Sequence, residues 1–488
     1  MSSDYLAFDL GAESGRAMRG SLRGGVLSLS EVCRFPNGPT RDNGSLRWDL
    51  HRLWREMKQA LSHVSESRFE SIGADAWGCD YGLLRADGSL VEQPYTYRDA
   101  RTDGVMERVF AKVPRERIYA ITGVQFLWFN TLYQLYAACE SSPQTLASAH
   151  RVGTIPDVLN FWLSGVLHAE FTSATTTQCV NATTRQWATD LLTELGLPTR
   201  LLPELVEPGT PLGTLRKEAN RALAGTPIIA PACHDTGSAF AAVSANGTTA
   251  FLSSGTWSLL GTELPAPIIT PNALEADFTN EGGVCGTTRL LKNISGLWLL
   301  QSCRRSWATR GRDYGYEELV RAAVDEPPFR VLLDPDSPGF RNPEDMVVAI
   351  DGYCRTTHQP SLGAPPSYSR AILESLAFKY RSVLESLETI TGRRFEEIRV
   401  FGGGARNRLL NQFTADATGR VVIAGPAEAT TLGNIAMQML ATGAVASLAE
   451  ARTIIDRSFP LERFEPIESD RWEPHYRRFR EYVELACA

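Results

Sequence analysis

Tyr5-Leu6-Ala7-Phe8-Asp9-Leu10-Gly11-Ala12-Glu13-Ser14-Gly15-Arg16 is an apolar run that closes on a carboxylate and opens into a glycine-bounded turn. An apolar segment with no polar face reads as a buried strand, and the glycines mark a tight exit from it. Working outward, Val26 to Val32 alternates with period 2, and Leu50 to Val64 takes helical spacing behind Asp49, whose carboxylate suits an N-cap. The resulting order is β, β, β, α. Ser71 to Ala76 is a further strand that ends in Trp77-Gly78-Cys79-Asp80, and helical patterns dominate from Thr102 to Leu163.

A second set of strand signals lies at Pro227 to Ala232, Thr249 to Ser253 and Ile398 to Phe401. The last follows a helix whose apolar positions are Ile372, Leu376, Tyr380, Val383 and Leu387. Two α/β halves emerge. A chain of 488 residues is too long for one ordinary core, so two large domains with a cleft between them are the expectation. The boundary is placed between residues 243 and 244, at the turn Ser244-Ala245-Asn246-Gly247, giving domains 1–243 and 244–488. The stretch from Trp472 to Leu485 is expected to be a helix that packs on either half.

Composition narrows the function classes. Hydrophobic residues make up 43% and charged residues 22%, as in soluble globular proteins, and no segment approaches the roughly 20 apolar residues of a membrane span. The N-terminus lacks the basic, apolar, small-residue order of a signal peptide, so a cytoplasmic protein is expected. Nine cysteines stand at 33, 79, 139, 179, 233, 285, 303, 354 and 487 without a Cys-x-x-Cys pair, which reads as reduced thiols rather than a zinc site. A net charge of -7 without a basic run argues against nucleic acid as a partner. A monomer or a small homo-oligomer is expected.

Three glycine-rich turns follow strand-like runs: Gly11 to Gly15, Ser253-Ser254-Gly255-Thr256, and Gly402-Gly403-Gly404-Ala405-Arg406-Asn407. Small residues at a strand end let phosphate oxygens reach backbone N–H groups, and hydroxyls add donors. The Walker pattern, the dinucleotide-binding glycine fingerprint and the hydrolase nucleophile elbow are all absent. Two strand-end carboxylates stand out, Asp9 before the first turn and Asp235 in Cys233-His234-Asp235-Thr236-Gly237. Phosphoryl transfer needs magnesium near carboxylates, loops around phosphates, and one carboxylate to take the acceptor's proton. Asp9 and Asp235 suit those roles, and they equally suit a helix cap or a closed turn. His234 reads as a packed or substrate-contacting residue. Trp77, Gly78, Asp80 and Tyr81, the segment Arg98-Asp99-Ala100-Arg101-Thr102, and Gln125-Phe126-Leu127-Trp128-Phe129-Asn130-Thr131 mix aromatic and polar groups as sugar sites do. About half of Trp77, Phe126, Trp128 and Phe129 are expected to be packing, because aromatics are so often buried.

In their order, these motifs resemble those of the FGGY carbohydrate kinases, from residue 5 to about 440. Asp9 to Arg16 resembles the first phosphate motif, Ser253 to Ser258 the second, Gly402 to Asn407 the adenosine motif, and His234-Asp235-Thr236 the catalytic segment. The stretches 75–82, 123–134, 253–259, 280–283 and 292–301 are similar to the L-rhamnulokinase group of that family. The resemblance implies two actin-like (ribonuclease H-like) ATPase domains with a cleft between them, and transfer of phosphate from ATP to the C1 hydroxyl of L-rhamnulose. It implies that Ala12, Glu13, Ser14, Gly15, Arg16, Thr256, Gln301 and Gly403 contact ATP. Gly78, His234, Asp235, Thr236 and Asn293 would contact the ketose, Asp235 would be the general base, and Asp9 would help hold Mg2+.

Glu13, Ala76, Cys79, Trp128 and Gly237 depart from the family pattern, where Ser, Thr, Val, Pro and Ala are common. Glu13 adds negative charge beside the phosphates unless it turns outward. Cys79 and Trp128 leave kinases for L-fuculose, L-xylulose or another ketose or polyol as alternatives. A non-catalytic actin-like ATP-binding regulator is the reading from a different class.

Overall fold

The computed structural model describes residues 2–487. The chain forms two compact units, each discontinuous in sequence. The first runs to Ser244 and adds Glu263–Leu290 and Ala429–Phe459. The second comprises Ala245–Thr262, Leu291–Glu428 and the stretch from Pro460 onward.

The first unit opens with a meander of β1 (Ser2–Leu10), β2 (Ser14–Arg23) and β3 (Val26–Pro36), followed by α1 (Leu50–His63) and β4 (Ser71–Ala76). Two short strands, β5 (Pro211–Thr214) and β6 (Pro227–Ile229), precede α2 (Asp235–Ala241). The sheet order is β5-β6-β4-β1-β2-β3, with β4 parallel to β1 and β6 parallel to β4. Tyr5, Leu6, Ala7 and Phe8 are fully buried, which is why β1 carries no polar alternation. Asp49 caps α1 by accepting the Arg52 N–H at 2.8 Å. Leu50, Leu53, Met57 and Leu61 follow the 3.6-residue period onto a core shared with Leu6, Phe8 and Ile228. A separate core under the helical stretch gathers Val109, Ile118, Leu132, Tyr136 and Leu191. Within that stretch Arg151–Thr154 pairs antiparallel with Tyr81–Leu84, a ribbon too short for its period to register in the sequence.

The second unit is built on β7 (Thr249–Ser254), β8 (Trp257–Leu264), β9 (Thr288–Ser295), α3 (Trp298–Thr309), α4 (Pro365–Thr391), β10 (Glu397–Phe401), α5 (Arg408–Thr418) and β11 (Val421–Ala424). After α6 (Ala429–Ala441), which belongs to the first unit, come β12 (Glu462–Phe464) and α7 (Ser469–Cys487). The order β9-β8-β7-β10-β11-β12 repeats the first plan. In both sheets an antiparallel hairpin is followed by two strands parallel to its first member. Ile372, Leu376, Tyr380, Val383 and Leu387 of α4 are all buried, as their spacing predicts. The terminal helix α7 lies on α4, with Trp472 and Phe479 at 4.9 and 5.6 Å from the Phe378 ring. Among the described residues no helix is long and apolar enough to cross a membrane.

A single cut at residue 243 or 244 assigns one continuous run to each half, whereas the compact units exchange segments. A turn signal marks where the chain leaves a unit but not where a later helix returns. The return of α6 depends on Gly433, where a Cβ would lie 1.6 Å from the carbonyl oxygen of Ser238 on α2.

Candidate active site

In the first unit, parallel pairing gathers carboxylates at the C-terminal ends of adjacent strands, where ligands bind in open α/β sheets. Asp9 of β1 is in register with Asp75 of β4. Ala76 bridges His234 and donates its N–H to the Cys233 carbonyl at 2.9 Å, so the segment leading into Asp235 runs beside β4. Asp9 Oδ2 accepts from Arg16 Nη2 at 2.6 Å, Arg16 Nε at 3.1 Å and Thr431 Oγ1 at 2.8 Å. Asp75 is wholly buried, and its Oδ2 accepts from Asn434 Nδ2 at 2.6 Å. Its Oδ1 has no hydrogen-bond partner among the described residues. Burial, then the negative charge of Asp9, holds the Asp75 carboxyl well above the usual range, against the pull of Asn434.

Asp235 opens α2 with its side chain 31% exposed. Its Oδ1 accepts from the Thr236 N–H at 2.5 Å and the Thr236 hydroxyl at 3.2 Å, and lies 3.4 Å from His234 Nε2. The Thr236 donors and the His234 ring all lie against Oδ1. Burial pushes the Asp235 carboxyl upward and Asp9 adds to this, while His234 opposes it; contact with solvent tempers the shift.

Of the first turn, Arg16 sits on Asp9, and Ala12 and Ser14 are half-buried while Glu13 is exposed. Gly15 has a packing role of its own, since a Cβ there would meet the Phe35 ring at 2.2 Å. Around Gly78 a Cβ would lie 3.0 Å from Thr176 Oγ1 and 3.2 Å from His234 Nε2, so this glycine opens the floor beside His234. Asp80 is not a hydroxyl-binding group. It is fully buried and takes donors from Trp48 Nε1 at 2.6 Å, Trp77 Nε1 at 3.0 Å, Gln134 Nε2 at 3.0 Å and the Tyr97 N–H at 3.2 Å. Burial raises it to about 6 despite these bonds. Arg101 likewise turns to Gln134 Oε1 at 2.5 Å and the Tyr95 ring. Trp77 and Phe129 are buried, whereas Phe126 and Trp128 are partly exposed.

In the second unit, Ser253 of β7 is in register with Phe401 of β10, so two glycine turns leave adjacent strand ends. They pack closely: a Cβ on Gly404 would lie 2.0 Å from Ser254 Oγ. Gly402 takes φ 80°, which favours glycine, while a Cβ on Gly403 would meet nothing within 4 Å. The Thr256 carbonyl accepts the N–H groups of Gly296 and Trp298, both at 3.1 Å, tying the second turn to the start of α3. That helix carries Gln301, whose buried Oε1 has no partner among the described residues. Asn293 is half-buried on β9. Asn407 caps α5 by accepting the Leu410 N–H at 3.0 Å.

Among the described residues no group of three or more His, Cys, Asp and Glu side chains forms a metal cage. Magnesium needs only one or two carboxylates when phosphates and water complete its shell. Asp9 beside Asp75, with the unpartnered Asp75 Oδ1, offers oxygen donors that fit it once the cation's charge displaces the proton that burial and Asp9 favour on Asp75.

Sequence reasoning missed Thr431, Asn434, Glu281, Arg289 and the role of Asp75. Asp75 and Glu281 lie inside the quoted stretches 75–82 and 280–283, so a motif signal marked them without naming a function. Asn434 is 359 residues from the Asp75 it supports, and Arg289 carries no local signal at all.

Residues 4–242 match the N-terminal domain of the FGGY family of carbohydrate kinases, and residues 250–442 match its C-terminal domain. A rhamnulokinase of Bacteroides thetaiotaomicron is 44% identical over 99% of this chain and 100% of its own. A rhamnulokinase of Pectobacterium carotovorum is 42% identical over 98% and 96%. In structure the chain is similar to gluconate kinase from Lactobacillus acidophilus, with a TM-score of 0.82 at 16% identity and coverage of 100% and 99%. It is also similar to Plasmodium falciparum glycerol kinase with ADP, with a TM-score of 0.78 at 16% identity and coverage of 100% and 98%. These likenesses establish two α/β domains of the actin-like ATPase fold. With a match to both family domains and relatives aligned almost end to end, the chain belongs to the FGGY family of carbohydrate kinases.

Proposed function

We propose that the protein transfers the γ-phosphoryl group of ATP to the C1 hydroxyl of L-rhamnulose, giving L-rhamnulose 1-phosphate and ADP. The substrate rests on the rhamnulokinase relatives at 39–44% identity over nearly the whole chain. The chemistry rests on Asp235, a partly exposed carboxylate whose donors are gathered on Oδ1.

Asp235 Oδ2 accepts the C1 hydroxyl proton as that oxygen forms its bond to the γ-phosphorus. The bond from the γ-phosphorus to the bridging oxygen breaks, its electron pair leaves with ADP, and Asp235 later returns the proton to water. Gly78, His234, Thr236 and Asn293 contact the ketose. Ala12 to Gly15, Thr256, Gln301 and Gly403 contact ATP, and Arg16 acts by holding the Asp9 carboxylate in place. When bound, magnesium lowers the negative charge of the phosphates, and Asp9 with Asp75 would hold it. The eight cysteines whose side chains are described are free thiols, in keeping with a reducing compartment, and we place the protein in the cytoplasm.

ADP release in a coupled assay, across L-rhamnulose, L-fuculose, L-xylulose, L-ribulose and glycerol, tests this reading. The expected result is the highest kcat/KM for L-rhamnulose, with Asp235→Asn losing most turnover while ATP affinity is kept. A higher kcat/KM on another acceptor overturns the substrate, and wild-type turnover in Asp235→Asn overturns the base.

A further inference from the structure

His234 stands in a buried polar chain that the reaction above leaves unexplained. Its backbone N–H donates to Thr172 Oγ1 at 3.2 Å, and Nε2 lies 3.4 Å from Asp235 Oδ1. On the other side of the ring, Nδ1 faces Arg289 Nη2 at 3.2 Å and Glu281 Oε2 at 3.4 Å. Arg289 is wholly buried; its Nε donates to the Gly282 carbonyl at 2.8 Å, and its Nη2 is 3.1 Å from Glu281 Oε2. Glu281 is itself buried, and although burial pushes its carboxyl up, Arg289 and then the neighbouring His234 ring hold it below the usual range.

We propose that Arg289 is a positioning residue that fixes His234 as the neutral tautomer with its proton on Nε2. A guanidinium has N–H donors and no acceptor. Facing it at 3.2 Å, Nδ1 serves as the lone pair that accepts the Nη2 hydrogen, which a proton on Nδ1 would oppose. Glu281 Oε2, which has no hydrogen-bond partner among the described residues, offers the competing arrangement, an acceptor for a proton on Nδ1, but it lies 3.4 Å from Nδ1 whereas Arg289 Nη2 reaches that nitrogen at 3.2 Å. The ring proton therefore sits on Nε2, directed at Asp235 and at the space left by the missing Cβ of Gly78. His234 then donates to a sugar oxygen while Asp235 accepts the reacting proton, so the two neighbours have opposite roles. This division of labour rests on the proposed ketose kinase reading, but the tautomer does not.

Long-range 1H–15N correlation spectra of the full chain, labelled with 15N-histidine, test the tautomer, with His234→Gln identifying the signals. The expected spectrum has an unprotonated Nδ1 and a protonated Nε2. Arg289→Met is expected to move the proton to Nδ1, toward Glu281, and to lower kcat/KM for the ketose about 10- to 100-fold with the KM for ATP unchanged. Arg289→Lys, still a donor without an acceptor, is expected to keep the tautomer. A wild-type His234 protonated on Nδ1 or on both nitrogens overturns the inference, even if Arg289→Met fails to fold. An unchanged tautomer in folded Arg289→Met overturns it too. The expected spectrum together with no sugar-stimulated ADP release supports the tautomer and overturns the kinase substrate reading.

Discussion

Gly433→Ala strikes the point where α6 crosses α2. The new Cβ would lie 1.6 Å from the Ser238 carbonyl oxygen and 2.6 Å from its carbon, both backbone atoms that cannot swing aside. Carbon and oxygen settle at about 3.3 Å or more, so the two helices must part by roughly 1.7 Å. Forcing a methyl into a packed interior costs about 1–3 kcal/mol, and a helix–helix contact with no flexible side chain to yield belongs at the upper end. The effect on activity is expected to be larger than the effect on stability. Thr431 and Asn434, on the same helix, hold Asp9 and Asp75, while Asp235 begins the helix being pushed away. A displacement of about 1 Å in a catalytic constellation costs about 100-fold in rate. The assay is kcat/KM for L-rhamnulose by coupled ADP release, together with urea unfolding. Gly339→Ala serves as the control, because a Cβ there meets nothing within 4 Å. A Gly433→Ala protein matching wild type in both stability and kcat/KM refutes the reasoning.

Gly78→Ala places a Cβ 3.0 Å from Thr176 Oγ1 and 3.2 Å from His234 Nε2, so it is expected to lower kcat/KM for the sugar about 10-fold or more while leaving nucleotide affinity intact. Isothermal titration with ADP and steady-state kinetics separate the two, and equal losses for sugar and nucleotide would contradict the placement of Gly78 beside the ketose. Burial raises the carboxyls of Asp157 and Glu170 to about 7, against the hydrogen bonds they accept. Because the folded pKa exceeds the unfolded one, the folded state holds the extra proton. The stability each group contributes is therefore full below about pH 4 and is lost as pH rises through about 7, at up to roughly 1.4 kcal/mol per unit. Glu170→Gln is expected to flatten the decline in urea-unfolding free energy between pH 5 and 7, and curves that stay parallel to wild type would rule this out.

Much of this was written locally. The apolar run into Asp9, the capped helix after Asp49 and the buried stripe of α4 depend on neighbours a few residues apart, so period and capping chemistry identified them before any packing was known. The glycine turns were legible because strand ends that need tight exits leave small residues in the chain. Other features existed only once the sheets closed. Asp80 and Asp235 are both carboxylates in conspicuous motifs, yet one is consumed by two indole N–H groups and the other keeps an oxygen toward solvent. No local pattern separates them, because a carboxylate's role is set by the donors that fold onto it. Arg289 against His234 and Asn434 against Asp75 are contacts between distant segments, decided by register and helix return rather than by spacing. By itself the sequence determined the elements, the phosphate-type turns and the family. Which carboxylates are buried, paired or open was decided by the tertiary structure, since burial and charge proximity arise only when remote parts of the chain share one interior.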